Sequence, residues 1–371
     1  MPRGGEEAPP TRPPLNTPMS TPPDAGNDPP RPPDSSSITQ DPPSSKPTPD
    51  AGAMSPPPVN NACKSTVRNA IRKRLDMYIV MDANITLTIP GITAPLWDLA
   101  ASGLTRFVED PGAQEIGVGL RFFGDECDPG PYDTPNVEVD MLPANEAKLR
   151  DELNKRPTYS ASPMLPALQG AIQHQVRRAK AQPEYKQIVV MLTDGFTADF
   201  ACRDYDPSEL VSAASAGYNG DISIETHVIG FGLPLIMTNV PIADEILARI
   251  NPLEQFAKAG GGLLINVPAG SDANTMYDAL QRVRRTAQPC EFRTPNYDDP
   301  DLVGLSLSEI GEVPRVSGAT GCGRLHGWHY DDDKTPKSVV LCPTTCGTLQ
   351  QDDSMAVWFD VGCPPGRRVT D

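Results

Sequence analysis

Two aspartates stand where strand-like runs of this 371-residue chain stop. Asp82 ends the apolar, β-branched run that begins at Leu75, and Asp194 ends the equally apolar "QIVVMLTDG". Neutral oxygens lie close to both in sequence: Asn84 and Thr86 follow Asp82 at two-residue spacing, and Thr193 precedes Asp194. In an open α/β sheet, ligands bind beyond the carboxyl ends of the strands. If these two strands are near neighbours, two carboxylates and several amide and hydroxyl oxygens meet at one edge. Hard oxygen donors of which only two are charged suit Mg²⁺ or Mn²⁺, which keeps some of its waters and leaves a position for one oxygen from outside.

The elements that would position these groups alternate from Arg74 to about Gln288. The first strand leads into an amphipathic stretch, "APLWDLAASGLTRFVED", read as a helix. The strands "IGVGLRFF" and "NVEVDML" follow with only a loop between them, as an antiparallel edge hairpin would have it. Helical "NEAKLRDELNKR" and "LPALQGAIQHQVRRAKAQ" precede the central strand that ends at Asp194. A helix from Pro207 to about Ala216, the strand "ISIETHVIGFG", a helix in "ADEILARI" and "LEQFAKAG", the strand "LLINV" and a last helix "DANTMYDALQRVRRTA" complete the series. Strands alternating with helices of ten or more residues predict a doubly wound, mostly parallel sheet covered on both faces. After Cys290 the pattern changes to short β-like runs between Gly, Pro and Asp turns, with no helical stretch. The expected organisation is therefore a Pro-rich tether over 1–58, an α/β domain over 63–289, a β-rich annex over 290–363 and a tail over 364–371.

With these elements in order, the residues resemble the von Willebrand factor A domain and its metal-ion-dependent adhesion site. The carriers of the resemblance are Asp82-Ala-Asn84-Ile-Thr86, then "ASPMLPAL", then "VVMLTDG". The family's first loop is D-x-S-x-S, its second supplies a Thr and its third an Asp, usually in T-D-G. Asp82 matches the first Asp, Asn84 and Thr86 stand where the serines would be, Ser162 stands for the Thr, and Asp194 matches the last Asp. The resemblance implies a doubly wound fold over about 74–288 and a divalent cation on these five residues, with an acidic side chain of a partner protein as its last ligand. "FFGDECDPGPYDTPNVEVDMLP" and "TDGFTADFAC" also look like cysteine-bearing versions of this domain from bacterial surface or secreted proteins, which implies a Cys127–Cys202 pair. Cys63 and Cys290, at the two ends of the domain, could close it by a second.

Composition narrows the function further. A net charge of −16 disfavours nucleic acid and gives no attraction to an anionic membrane surface. No apolar run is long enough to span a bilayer, and the N-terminal residues lack a secretory h-region. The eight cysteines, four of them crowded between Cys322 and Cys363, instead favour disulfides and an extracytoplasmic setting, with a signal or lipoprotein anchor expected upstream of this chain. A zinc site drawn through Cys322, His326, His329, Cys342 and Cys346 is the less favoured use of those thiols. The Asp331–Asp333 run lacks the Gly and distal Glu of a calcium loop and reads as an acidic turn. Of Gly117, Gly119 and Gly124 the third comes late and no helix follows it, so they read as glycines of a strand packed closely under a helix, not as a dinucleotide fingerprint.

No nucleophile elbow, no H-E-x-x-H and no acid–base pair is present, so the chain is expected to bind rather than catalyse. The readings of other classes are a structural surface protein with a decayed metal site and a metal-dependent hydrolase using Asp82 and Asp194. The tether has its own test. With 19 of the 43 prolines in residues 1–58, this stretch offers too little apolar surface to offset its ordering entropy. Limited proteolysis that removes it should leave the melting temperature of the remainder unchanged, and a drop of several degrees would show that it packs on the domain.

Overall fold

The computed structural model describes residues 66–89, 92–159, 161–195, 202, 206–232, 244–268, 270–352 and 354–362. The tether, the tail, Cys63, Cys363 and most of the segment 196–205 lie outside them. All described residues belong to one compact unit that begins at Met54.

The elements run β1 (Thr66–Asn69), β2 (Arg74–Asp82), β3 (Thr86–Ile89), β4 (Ile92–Pro95), α1 (Trp97–Val108), β5 (Gly117–Phe123), α2 (Pro129–Tyr132), β6 (Val137–Met141), α3 (Glu146–Leu153) and α4 (Met164–Ala181). Then come β7 (Tyr185–Thr193), α5 (Pro207–Tyr218), β8 (Glu225–Phe231), α6 (Asp244–Ala259), β9 (Gly261–Val267) and α7 (Ala273–Ala287). The last part holds β10 (Glu291–Arg293), β11 (Val303–Leu307), β12 (Gly311–Val313), β13 (Trp328–Tyr330), β14 (Ser338–Leu341), α8 (Pro343–Gln351) and β15 (Val357–Val361).

The main sheet has the order β6-β5-β2-β7-β8-β9. Every pairing in it is parallel except β5 with β6, the antiparallel edge hairpin expected from the sequence. Strand β2 shows why both faces must be covered. Its side chains alternate, Leu75, Met77, Ile79 and Met81 entering the core under α1, α3 and α7, and Tyr78 and Val80 entering the core under α4, α5 and α6. All six are at most 1% exposed, and each such burial contributes about 1.5–3 kcal/mol. Helix starts follow local chemistry. Asp206 caps α5 in a reciprocal capping box, accepting from the Ser208 amide at 2.8 Å while the Glu209 carboxylate accepts from the Asp206 amide at 3.1 Å, with Pro207 in the first turn.

The glycines of "GVGLRFFG" are packing glycines, though their neighbours are not a helix. A Cβ at Gly117 would sit 2.2 Å from the Asp76 carboxylate, and one at Gly119 would meet Val139 of the edge strand. Close strand-to-strand packing needs hydrogen at both positions.

The annex is built from two small antiparallel sheets, β1-β15-β11-β12 and β10-β14-β13, around Trp328, Phe359, Leu305 and Phe292. Three findings there depart from the sequence reading. Strand β1 pairs with β15, so the annex takes one strand from the residues that precede β2. Residues 343–351 form a helix, α8, whose single turn of buried side chains, Thr345 and Leu349, is too narrow a stripe to register as periodicity. Cys290 pairs with Cys346, not with Cys63. That bond fastens the start of β10 to α8, where Cys290 and Cys346 both pack against the annex core. Cys322 joins Cys342 in the same region, so the thiols of the zinc alternative are consumed in disulfides. The acidic turn is satisfied internally: Asp331 accepts from the Lys337 and Ser338 amides at 3.0 Å, Asp332 accepts from the Lys334 amide, and Asp333 pairs with Arg315.

Candidate metal centre

Strand β2 lies between β5 and β7, and the register carries its end to the same level as theirs: Asp82 sits opposite Phe123, and Met81 opposite Leu192. Asp82 and the Thr193-Asp194 pair therefore leave the sheet side by side at its carboxyl edge. Asp82 is fully buried. Its Oδ1 accepts from the backbone amide of Asn84 at 2.8 Å and from the Ser162 hydroxyl at 3.0 Å. Its Oδ2 is buried and has no hydrogen-bond partner among the described residues.

The other expected residues are placed as follows. Ser162, 2% exposed, sits in the turn that opens α4. Asp194 is half-buried and close enough for its charge to act on Asp82. Burial first, and the Asp194 charge second, push the Asp82 carboxyl well above the usual carboxylate range, while the bonds from Asn84 and Ser162 pull the other way. Thr193 Oγ1 accepts from the Gly195 amide and donates to the Gly195 carbonyl, both at 3.3 Å. Gly195 has φ near 118°, a conformation that favours glycine and turns the chain sharply just after Asp194. Asn84 is exposed on the turn that follows Asp82.

Thr86 is the residue whose surroundings differ most from expectation. A tight loop into the first helix would suit the spacing of Asp82, Asn84 and Thr86, but Thr86 instead opens β3. That strand pairs only with β4, with Thr86 opposite Pro95, and the ribbon closes where the Leu96 amide donates to the Ile85 carbonyl at 3.0 Å. The side chains of this ribbon lie outside the described residues. The structure thus brings Ser162 into contact with Asp82, sets Asp194 beside it, and places Asn84 and Thr86 on the segment leaving it.

A residue near the site that the expected set lacks is Asp125, in the loop after β5. Its Oδ1 accepts from the amide of Ala161 at 3.2 Å, one residue before Ser162. Nothing in the sequence singles it out from the other exposed acids of the "GDECD" run. Cys127, two residues further on, is joined to Cys202, as the resemblance implies.

The second buried aspartate of β2 gives the scale for what Asp82 lacks. Asp76, also fully buried, receives Arg74 at 3.1 Å and Arg178 at 2.7 Å. Among the described residues Asp82 has no guanidinium or ammonium as a hydrogen-bond donor and keeps an orphaned oxygen, with a second carboxylate nearby. This donor set fits a divalent cation. Two carboxylates, the Ser162 hydroxyl and the Asn84 amide oxygen are all hard, and the orphaned Oδ2 is a coordination position already desolvated. Among the described residues no three His, Cys, Asp or Glu side chains converge, so a soft-metal or all-carboxylate cage is not offered. No helix among the described residues is long and apolar enough to cross a membrane.

No protein-family model matches the chain, and no curated protein is similar to it in sequence. Among solved structures it is similar to the pilus adhesin SpaC of Lactobacillus rhamnosus GG, at 11% identity and a TM-score of 0.42, over 80% of this chain and 42% of the adhesin. An open conformation of the same adhesin gives 12% and 0.40, over 79% of this chain and 39% of that one. The manganese-loaded TRAP protein of Plasmodium vivax gives 13% and 0.38, over 76% and 98%. The chain spans about two fifths of the adhesin's length.

Proposed function

We propose that the chain is a non-enzymatic, extracytoplasmic binding protein of the von Willebrand factor A type, in which Asp82, Asn84, Thr86, Ser162 and Asp194 hold Mg²⁺ or Mn²⁺ and present it to an acidic side chain of a partner protein. The observation that carries this reading is the contrast along β2: one buried aspartate is neutralised by two arginines, and the other is left with an orphaned oxygen beside a second carboxylate. A fold keeps such a repulsive arrangement where a ligand relieves it.

The bound cation would supply positive charge at the carboxyl edge and a free coordination position for a carboxylate oxygen. The chain's own residues do the rest. Asn84 and Ser162, through the amide and the hydroxyl, fix Oδ1 of Asp82 and so aim Oδ2. Asp194 supplies the second negative charge from the neighbouring strand, and Thr193 with Gly195 sets the turn that places it. Recognition of the partner falls to loops 125–136 and 196–206, since loops on a rigid sheet are where specificity is usually built. The three disulfides among the described residues fit an oxidising compartment, and the protein is read as lying at the cell surface, in the periplasm or outside the cell, with a lipid anchor if its upstream sequence carries a lipobox.

Calorimetric titration with Mg²⁺ and Mn²⁺ tests the site. Wild type should bind one ion, Asp194→Ala should lose binding, and Asn84→Ser should bind several-fold more tightly because a shorter arm restores a hydroxyl at the ligand position. Equal heats from all three proteins would place any metal elsewhere. Capture of an Asp- or Glu-bearing peptide that survives in Mg²⁺ and is lost in EDTA would then test the partner class.

A further inference from the structure

The loop 124–133 contacts the residue before Ser162 and is bonded to Cys202, which follows Asp194 in the chain. Its base is fixed. The Tyr132 side chain is fully buried, its hydroxyl donates to the Glu126 carbonyl at 2.8 Å and accepts from the Gly124 amide at 3.4 Å, and the Tyr78 hydroxyl donates to the Tyr132 carbonyl at 2.9 Å. Asp133 is held by Arg177 of α4, and its carbonyl faces Nδ1 of the largely buried His174 at 3.0 Å. From this anchored base two arms reach out. Asp125 accepts from the Ala161 amide, next to Ser162, and Cys127 is bonded to Cys202, eight residues beyond Asp194 in the chain.

The topology makes the second arm a strap. The two cysteines follow β5 and β7, which flank β2 on either side, so the bond joins the chains leaving the two neighbours of the strand that ends in Asp82. Their Cα atoms are 5.4 Å apart. Cys127 is exposed, whereas Cys342 is buried and Cys290 and Cys346 pack against the annex core. Access is one of the factors that sets the rate of thiol–disulfide exchange, so of the three described bonds this one meets a reductant first.

We propose that loop 124–133 is a redox-sensitive clamp on the metal centre: Asp125 is a positioning residue for Ser162, and the Cys127–Cys202 bond ties the chain after Asp194 to the same loop, so that a dithiol which opens it weakens Mg²⁺ binding. The exchange balances with the dithiol as the reductant. One of its thiolates attacks Sγ of Cys127, forming a mixed disulfide and releasing the Cys202 thiolate. Its second thiolate displaces the Cys127 thiolate and closes the dithiol's own disulfide. Two electrons pass to the protein, two S–S bonds form and two break in sequence, and the two cysteine thiolates take up protons from water. The weakened affinity rests on the metal reading above, whereas the mechanical part of the clamp does not.

The test therefore has a metal arm and a metal-free arm. Limiting dithiol followed by alkylation and peptide mapping should label Cys127 and Cys202 before the other described cysteines. In that form, and in Cys127→Ser/Cys202→Ser, amide exchange over 161–164 and 192–195 of the metal-free protein should quicken at least tenfold, and the Kd for Mg²⁺ should rise at least fivefold. Asp125→Ala should act on 161–164 and on the Kd, and Asp125→Asn, which keeps the accepting Oδ1, should restore both. Unchanged exchange in the opened protein overturns the clamp whatever the metal does. Faster exchange in a protein that binds no Mg²⁺ even when oxidised supports the clamp and refutes the metal reading instead.

Discussion

Asp82→Asn is expected to remove Mg²⁺ binding and, at the same time, to raise the melting temperature of the metal-free protein at pH 7. The two effects come from one cause. In the metal-free fold Asp82 is buried, lies within the field of Asp194 and has its carboxyl raised well above the ordinary range. The folded state therefore holds a proton there that the unfolded chain releases above about pH 4. Because the native state binds more protons in that window, stability falls as pH rises from the ordinary carboxylate value through the raised one, and levels off beyond it. Asparagine keeps the Oδ1 that accepts from Asn84 and Ser162 but never ionises, so its melting temperature should be flat where the wild type declines. Added Mg²⁺ should stabilise the wild type by mass action and leave the variant unmoved. Thermal melts from pH 5 to 8, with and without Mg²⁺, check both statements; wild-type and variant profiles that run parallel would show that Asp82 carries no unmet charge. A residue whose neutralisation stabilises the fold while abolishing binding is one kept for function.

How much of this was legible in the sequence depended on whether a residue's partners were local or distant. Strand β2 announced itself because Met77 to Met81 are apolar on both faces, as a strand covered by helices on both sides requires. The start of α5 was equally readable, since Asp206, Pro207 and Glu209 form its cap without help from elsewhere. The Cys127–Cys202 bond was reached through a likeness of local motifs, not through spacing. What failed were features fixed by remote pairing. Strand β1 is four mostly exposed residues whose identity as a strand comes from β15, nearly three hundred residues away. The helix α8 is held by the Cys346 bond and by Leu349 in the annex core, neither of which leaves a periodic signature. The β3–β4 ribbon had turn residues, Pro90 and Gly91, between two short β-branched runs, but the amphipathic stretch behind it drew Ala94 and Pro95 into the helix reading. For the candidate metal centre, residue types and spacing indicated Asp82 and Asp194. They could not indicate that Oδ2 of Asp82 would be left without a partner, because that depends on what the rest of the fold declines to place there.

Asp76→Ala should destabilise the main sheet strongly and yet leave the candidate metal centre intact. Asp76 is fully buried near the start of β2, where it pairs with Arg74 and Arg178 and where Gly117 of β5 leaves room for its carboxylate. Removing it strands two partly buried guanidinium groups, of which Arg178 is 17% and Arg74 16% exposed. Losing one partner of a buried ion pair costs about 3–5 kcal/mol, because the surviving charge keeps its desolvation penalty without its counter-charge. For a unit of this size that is a drop of about 5–10 °C in melting temperature. Arg74 retains its stacking on the Tyr185 ring, centroid 3.8 Å away, so its loss is the smaller share and Arg178 bears the larger. The double change Asp76→Leu/Arg178→Met, which removes the charges on both sides, should recover much of the loss. Calorimetric Mg²⁺ affinity of the folded fraction should remain that of the wild type throughout, since Asp76 and Asp82 lie at opposite ends of one strand and share no hydrogen-bond partner. A Kd that shifted with Asp76→Ala would mean that the two ends of β2 are energetically coupled.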